Sequence, residues 1–591
     1  MFMCFSKTPA LSKSGDARPF SNKADGTILG EGTVLFALRR LADAKRDGDE
    51  IYAVINSFGS SSDGRGKSIY APVAEGQSLC INRAYQQAGY PMSEVGLIEA
   101  HGTGTIAGDK AEFMGLVHAM GDNQEKQRCA LGTIKSQVGH TKSTAGAAGL
   151  FKVAMALHHK VLPPTIKIDE PSHALNIEHS PFYLNTEPRP WILNSKTARK
   201  AGVSSFGFGG SNFHITVEEY KGETKRFYQY QDDSEHLFCY SAESTESLVE
   251  KLESFKRLCA KQNKDAFVVE SRNSQCQFKA TFPYRVTLLA TLSNRSTLAD
   301  KVQKTIDAIK KEKDFNLPNS IYYSTNKKQG DIAFLCAGQG SQYLNMGRDL
   351  INQFDCARAP WDKFSDQFII SNGNNASNAS NPSNASHKST ADYVYPKNAY
   401  SESELLSQQV TLNSVSTIQP AIANLSLSHI RLLEKLGITP NHVAGHSFGE
   451  LTALYLAGVI TSEDDYFALA KLRSQLMSDA AKHSQSSGGM TAVNADITVL
   501  KSLLAANPCS VQVANHNSNC QSVITGALND LEMIEAKLNQ QKIHFTRLSV
   551  PTAFHSPIAD CSAEFHTALQ TYAFNRPRLP ASATEAPCPS C

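Results

Sequence analysis

A chain of 591 residues is too long for a single hydrophobic core and is expected to hold three or four domains. With 41% apolar and 19% charged residues it can fold as ordinary globular protein, and its net charge of +2 gives no electrostatic footprint for nucleic acid or an anionic membrane. No apolar run reaches membrane-span length, the N-terminus lacks a signal-peptide layout, and thirteen scattered cysteines fit reduced thiols in a cytoplasm better than a disulfide framework.

The chain does not open like a folding unit. Phe5-Ser6, Ala10-Leu11-Ser12 and Arg18-Pro19-Phe20 show neither helical nor strand periodicity, which suggests an N-terminal truncation. They lead into a Gly-rich turn, Asp25 to Gly32, and a helical run expected over Val34 to Ala42. Three constellations follow. Glu99-Ala100-His101-Gly102-Thr103-Gly104-Thr105 comes after the apolar stretch Val95 to Ile98, read as a strand ending near His101, and is followed by Asp109 and Glu112. Gly132 to Thr141 carries Lys135 and His140 and precedes a small-residue helix over Ser143 to Gly149. Gly202 to His214 is a third Gly-rich run, holding Phe208. Singly, each histidine is more often structural than catalytic and each glycine run more often a turn. Gly64-Arg65-Gly66-Lys67-Ser68 imitates a phosphate loop but has Ser61 where that loop requires glycine, so it reads as a flexible loop.

Beyond Tyr220 the chain turns polar, with a linker over Tyr228 to Glu235. A small αβ module then follows: a strand over Leu237 to Ser241, a helix over Thr245 to Cys259, a strand over Tyr284 to Leu292 and a helix over Leu298 to Lys311. Ile332 to Cys336 reads as a buried strand ending at Gly338-Gln339-Gly340-Ser341-Gln342, a turn that can present a backbone N–H. Ser371 to Ser389 is Asn/Ser-rich and reads as a disordered insertion. Thr417-Ile418-Gln419-Pro420-Ala421 opens a helix. Gly445-His446-Ser447-Phe448-Gly449, between the strand end His442-Val443-Ala444 and a helix, reads as a nucleophile elbow or as a simple helix cap. Residues 487–550 alternate as βαββαβ, the order of a ferredoxin-like unit, and lead into Thr552-Ala553-Phe554-His555-Ser556-Pro557.

In their order, the first three constellations resemble the C-terminal half of a β-ketoacyl synthase of the thiolase fold. That resemblance implies that His101 and His140 hold the thioester carbonyl of the extender unit as it loses carbon dioxide, with Lys135 orienting its neighbours. It also implies that Thr103 and Thr105 hold the pantetheine arm and that Phe208 gates the acyl pocket. The family's nucleophilic cysteine lies in an Ala-Cys-x-Ser context that this sequence lacks. Cys4 falls after that point and reads as an apolar filler, so condensation is not expected of this chain alone. Residues 221–330 resemble the linker domain that follows such synthases.

Residues 331–591 resemble the malonyl/acyl transferases of fatty-acid and polyketide synthesis, matching four motifs in order: Gly338 to Gln342, Thr417 to Ala421, Gly445 to Glu450 and Ala553 to Pro557. The resemblance implies Ser447 as nucleophile, His555 as its general base and the N–H groups of Gln339 and Phe448 as the oxyanion hole. It places Gln419 and Arg473 at the substrate, Arg473 gripping the free carboxylate of a malonyl group, and sets Phe554 to crowd a 2-methyl branch. After Pro577 the sequence becomes Ala/Pro/Ser/Cys-rich, where the family would continue with further elements. It reads as a tail, and Cys588-Pro589-Ser590-Cys591 is too weak to imply a metal.

The expected architecture is α/β: a partial thiolase-fold ketosynthase half (1–220), a small αβ linker module (221–330), then an α/β-hydrolase-like acyltransferase core (331–591) with an inserted ferredoxin-like subdomain (487–550). The tandem order resembles the ketosynthase–acyltransferase segment of a bacterial polyunsaturated fatty-acid synthase or a modular polyketide synthase, truncated at both ends. Implied partners are malonyl-CoA, an acyl carrier protein bearing phosphopantetheine, and other synthase domains, with a homodimer in the full-length protein. No directly bound cofactor, nucleic acid or membrane is expected. The alternatives are a catalytically silent piece that at most binds acyl carriers, and a general serine esterase with a catalytic acid between serine and histidine.

Overall fold

The computed structural model describes the chain except residues 1, 9, 65–70, 122–124, 195, 208, 223–234, 262, 292, 312, 319, 326–329, 367–388, 484–487, 549–552, 554–559 and 584–591. Two compact units result, residues 1–229 with 332–591, and residues 230–331.

In the first 220 residues a six-stranded sheet is built from β1 (Val54–Ser62), β2 (Leu97–Glu99), β3 (Cys129–Gly132), β4 (Phe182–Leu184), β5 (Lys200–Gly207) and β6 (Ser211–Glu218), in the order β1-β6-β5-β2-β3-β4. The four strands β5-β2-β3-β4 run parallel, and β6 and β1 add antiparallel at one side. β2, β3 and β4 are buried at every residue, as parallel strands covered on both faces must be. α1 (Ala74–Ala88) and α2 (Ile106–Met120) cover one face, where Ile81, Phe113 and Leu116 pack on Ile98, Leu131 and Phe182. α3 (Ala145–His159) covers the other, through Val153 and Leu157 on Leu97, Ala130 and Val203. The loops carrying His101 and Lys135 therefore leave the carboxyl ends of the two central strands β2 and β3.

The helix expected over Val34 to Ala42 is not there. Residues 31–40 take neither helix nor strand, and the helix covers only Leu41–Asp47. Leu35 is 90% and Leu38 75% exposed. A short helix depends on burying its apolar face, and these side chains find nothing to bury against.

Residues 230–331 form a four-stranded antiparallel sheet from β7 (His236–Ala242), β8 (Tyr284–Ala290), β9 (Phe315–Leu317) and β10 (Ile321–Ser324), ordered β9-β10-β8-β7. Three helices, α4 (Thr245–Ala260), α5 (Lys264–Gln277) and α6 (Arg295–Lys310), accompany it. Phe238, Phe255 and Phe267 pack as an aromatic cluster at its centre. The sequence does not announce α5, β9 and β10, whose apolar positions are too few to show a period. Residues 228–234 of the expected linker lie outside the described residues.

In residues 332–591 three parallel strands, β11 (Ala333–Cys336), β12 (His442–Gly445) and β17 (Ala581–Ala583), lie in the order β11-β12-β17. Helices α7 (Asp355–Phe364), α8 (Val415–Lys435), α9 (Gly449–Leu456) and α10 (Glu463–His483) belong to this core. The segment read as tail thus contributes a strand at 581–583, because the edge of β12 offers its Ala-rich backbone a ladder of hydrogen bonds. The Cys588–Cys591 motif and positions 371–388 of the Asn/Ser-rich insertion lie outside the described residues, and Ser389 already caps the next helix with Asp392. The inserted unit joins β13 (Gly488–Val493), α11 (Ile497–Ala506), β14 (Gln512–Ser518), β15 (Gln521–Ala527), α12 (Leu528–Gln540) and β16 (Phe545–Arg547). Its order β14-β15-β13-β16, antiparallel throughout, is the ferredoxin-like arrangement that the βαββαβ rhythm predicts.

The two parts of the larger unit meet across a buried charge cluster. Arg199, 1% exposed, donates to Glu219 at 2.9 Å, to the Trp191 carbonyl at 2.6 Å and to Asp362 of α7 at 2.7 Å. Asp362 also accepts the Leu193 N–H at 3.1 Å and faces Arg358 at 3.7 Å. Both tryptophans of the chain, Trp191 and Trp361, are buried beside this cluster. Breaking a buried pair leaves a charge uncompensated. Asp362→Ala should therefore destabilise the unit by about 3 kcal/mol, the low end for a buried pair because Arg199 keeps Glu219. Urea denaturation followed by tryptophan fluorescence tests this, and an unchanged midpoint would show that the contact contributes nothing.

Candidate active sites

At the carboxyl ends of β2 and β3 the His101 and His140 rings stand edge to face with centroids 5.2 Å apart. Each is fixed through its backbone. The carboxylate of Glu112, on α2, accepts the His101 N–H at 2.6 Å and the Gly102 N–H at 2.7 Å. Asp109, one turn earlier, accepts from Gly104 at 3.0 Å and from Phe20 at 2.7 Å. Phe20 sits at φ 62°, a strained conformation for a bulky residue and one its hydrogen bond helps to hold. His140 is pinned by the Gly-rich turn: its N–H reaches the Ile28 carbonyl at 2.6 Å and its carbonyl accepts from Gly30 at 3.0 Å. Gly30 must be glycine, since a Cβ there would stand 2.0 Å from the Val138 carbonyl oxygen.

Burial and the nearby Lys135 ammonium depress both imidazoles, His101 well below the usual range and His140 to about 4. Both rings are neutral at pH 7. His140 Nδ1 accepts the Lys142 N–H at 3.1 Å, so the proton of the neutral ring is on Nε2 and that nitrogen is a donor. Lys135, 3% exposed, is held below its usual range by burial, with Glu99 and Glu112 acting against that shift. Burial also pushes the Asp109 and Glu112 carboxyls up to about 7 despite their amide donors. Thr103 and Thr105 lie on the same loop with their hydroxyls 2.9 Å apart. Phe208 lies outside the described residues. Asp109 and Glu112 follow the first motif in sequence without a role that the motif assigns; their signal is a pair of acids one turn apart on a mostly apolar helix.

The second cluster surrounds Ser447. Its φ is 53°, in the left-handed region, at the turn from β12 into α9. Both flanking glycines are required by contact. A Cβ on Gly445 would meet the Gly449 oxygen at 2.2 Å, and one on Gly449 would meet the Cys336 oxygen at 2.1 Å. Gly338, at the end of β11, is equally tight against the His446 carbonyl at 2.1 Å. The residue at the cap of α9 is Phe448 rather than Ser447. Among the described residues, neither Gln339 nor Phe448 donates its backbone N–H to a backbone carbonyl. Gln339 Nε2 and His446 Nε2 are buried with no hydrogen-bond partner among the described residues.

Phe448 packs against Ile418 and Ile422 of α8, which flank Gln419. Gln419 is fully buried, and its amide nitrogen lies 3.1 Å from Met477 Sδ on α10. Arg473 lies one turn before Met477 on the same face of α10, and its charge is felt by Cys561, which packs with Met477, Met490 and Val523. Gln339, Ser447 and Phe448 thus lie on two segments brought together at the Gly338–His446 contact, while Gln419 and Arg473 lie on α8 and α10, which are joined through Met477. Phe554 and His555 lie outside the described residues, and Ala553 just before them is fully buried. Among the described residues no group of His, Cys, Asp and Glu is placed to hold a metal ion, and no helix is long and apolar enough to cross a membrane.

Both clusters lie in segments with known counterparts. Residues 52–169 match the β-ketoacyl synthase C-terminal domain, 171–289 the ketoacyl-synthetase C-terminal extension, and 333–587 the acyl transferase domain. These define a multidomain synthase segment that joins a condensing enzyme to an acyl transferase. Over 605 residues the chain is 32% identical to a polyunsaturated fatty acid synthase polypeptide of Thraustochytrium sp., covering 98% of this chain and 21% of that protein. It is 29% identical over 585 residues to mycoketide-CoA synthase of Mycobacterium tuberculosis, covering 98% and 13%. Among solved structures it is similar to the ketosynthase from module 6 of the bacillaene synthase of Bacillus subtilis 168, with 32% identity over 55% of this chain and 54% of that one and a TM-score of 0.37. The chain thus carries a β-ketoacyl synthase C-terminal domain, its extension and an acyl transferase domain in tandem, its relatives are polyunsaturated fatty-acid and polyketide synthases, and it spans about a fifth or less of the length of the first two synthases.

The depressed His140 sets a pH dependence. Its folded pKa of about 4 lies below the ordinary 6.5, so the unfolded chain binds the proton first and stability falls as pH drops from 6.5 through 4. Relative to His140→Gln, the wild-type chain should lose roughly 3 kcal/mol between pH 7.5 and 4. Denaturation of both proteins at a series of pH values isolates this difference from the opposite trend of Asp109 and Glu112. Parallel curves would show that the ring titrates normally.

Proposed function

We propose that residues 331–591 transfer a malonyl group from malonyl-CoA to the phosphopantetheine thiol of an acyl carrier protein through a malonyl ester on Ser447. The observation that carries this reading is the elbow: a serine at φ 53° between two glycines whose Cβ positions are filled by backbone. That strain, ~1–2 kcal/mol for a non-glycine residue, lifts the hydroxyl clear of its own helix. His555 takes the Ser447 proton as the hydroxyl oxygen attacks the thioester carbon. The N–H groups of Gln339 and Phe448 stabilise the oxyanion, and the proton leaves on the coenzyme A sulfur. The pantetheine thiol then reverses these steps. Arg473 pairs with the free carboxylate of the malonyl group, Gln419 lines the same region, and Phe554 limits branching at C2.

Residues 1–220 would act on the extender unit. Neutral His101 and His140 are donors suited to the enolate oxygen formed as carbon dioxide departs, with Thr103 and Thr105 along the pantetheine arm and Phe208 at the acyl pocket. Residues 221–330 would connect the two parts. The reading places the protein in a cytoplasmic homodimeric synthase with further domains. The acyl-enzyme cysteine context is missing from this sequence, so condensation would need a thiol from elsewhere.

Intact mass spectrometry after incubation with malonyl-CoA should show one malonyl adduct, absent in Ser447→Ala. An unmodified, folded wild-type chain would overturn the transferase reading in favour of a silent segment, and acyl label retained on residues 1–220 would contradict the missing nucleophile. Losing one partner of a buried, hydrogen-bonded charge pair costs about 2–5 kcal/mol. Arg473→Ala should therefore cut malonyl transfer at least tenfold and leave acetyl transfer similar or faster. Methylmalonyl should be rejected by roughly 1–3 kcal/mol, relaxed in Phe554→Ser. Transfer rates for the three thioesters decide this, and equal loss of acetyl and malonyl transfer would remove Arg473 from the substrate.

A further inference from the structure

Beneath the histidine pair lies a second layer of charge that the motifs leave without a role. Glu99 ends β2, two residues before His101, and is 1% exposed. One of its oxygens accepts the Ile134 N–H at 2.6 Å, and the other lies 2.8 Å from Lys152 Nζ on α3. The fit is closed: a Cβ on Gly149, one turn before Lys152, would stand 2.9 Å from Glu99 Cγ, so α3 rests directly on the carboxylate. Ile134 immediately precedes Lys135. The charged and titratable groups that face Lys135 come from every element around it: Glu99 on β2, Asp109 and Glu112 on α2, Lys152 on α3, and the rings of His101 and His140.

We propose that Glu99 and Lys152 are a positioning pair for the condensing site: Glu99, oriented by Lys152, fixes the Ile134–Lys135 turn and supplies a buried negative charge to the Lys135 ammonium. The geometry divides the labour. The Ile134 hydrogen bond sets where the turn lies, and the ion pair stops the carboxylate from rotating away from it. The three-residue helical spacing between Gly149 and Lys152 lets the same face of α3 approach Glu99 closely and then pair with it. Among the charges acting on Lys135, Glu99 is the strongest, ahead of Glu112, and Lys152 acts in the opposite sense. Loss of Glu99 alone would leave two buried ammonium groups with less compensation. Loss of both members leaves no unpaired ammonium at position 152 and offsets part, but not all, of the effect on Lys135 of losing its main counter-charge. The catalytic meaning of the pair rests on the ketosynthase reading of His101 and His140; its effect on Lys135 does not.

The test follows the Lys135 Cε resonance against pH in this chain labelled with ¹³C-lysine. Glu99→Gln keeps an oxygen for the Ile134 N–H but removes the charge. Glu99→Gln/Lys152→Met removes both charges and leaves no unpaired ammonium, so it should recover the thermal stability that the single variant loses. In Glu99→Gln the Lys135 midpoint should fall by about one pH unit or more; in the double variant, which also loses the opposing Lys152 charge, it should fall by less, and Glu99→Asp, which keeps the charge, should return it toward wild type. A wild-type midpoint in Glu99→Gln overturns the proposal, because the pair would then hold the fold without acting on Lys135. Decarboxylation of a malonyl thioester, measured in a complete synthase carrying this segment, separates the two readings. Its absence in the wild type removes the ketosynthase reading while the lysine titration still decides the pair. Where it is present, Glu99→Gln should move the basic limb of its pH profile to lower pH by the same amount.

Discussion

Backbone contact closer than any side chain allows is the constraint on which the Ser447 site depends. Gly338, Gly445 and Gly449 bring the end of β11, the end of β12 and the first turn of α9 to distances at which a Cβ would overlap a carbonyl oxygen. Once those three segments are in contact, the turn between them has one conformation left, and it places a non-glycine residue in the left-handed region. The Ser447 hydroxyl is therefore positioned by exclusion, before any side-chain hydrogen bond is considered. A methyl group at any of the three glycines would push a strand or a helix away and take the elbow with it.

The histidine site solves the same problem with charge. Its loops are held by buried carboxylates that accept backbone N–H groups: Glu112 for His101 and Gly102, Asp109 for Gly104 and Phe20, Glu99 for Ile134. Three acids in a low-dielectric interior need positive partners, and Lys135 and Lys152 lie among them. Burial first, and the Lys135 charge second, keep the imidazoles neutral, so a charge that belongs to the cluster also helps set the protonation of the groups on its loops. Positioning and electrostatics are not separable in such a cluster.

Between the two sites, Arg199 joins the sheet of one part to α7 of the other through Asp362. A guanidinium with three different acceptors in fixed directions specifies orientation more strictly than apolar packing of equal area would. The relative placement of the two parts is in this way written into side chains that belong to neither candidate site.

The sequence by itself determined the α/β class, the ferredoxin-like insertion and the strand-to-helix step at Ser447. Each is carried by local signals: period-two and helical alternation over residues 488–547, and glycines whose need is fixed by neighbours a few positions away. It also brought His101, His140 and Ser447 forward as candidates, because their motifs are contiguous. Other features were decided only by tertiary structure. Leu35 and Leu38 have helical spacing but no surface to cover, Ala581–Ala583 becomes a strand because β12 has a free edge, and Asp362 finds Arg199 from 163 positions away. Glu99, Asp109 and Glu112 stand near their motifs in sequence, but their work depends on amides and ammonium groups brought in from other loops. Burial sets the protonation of these groups, and burial is a property of the packed chain that no local run of residues contains.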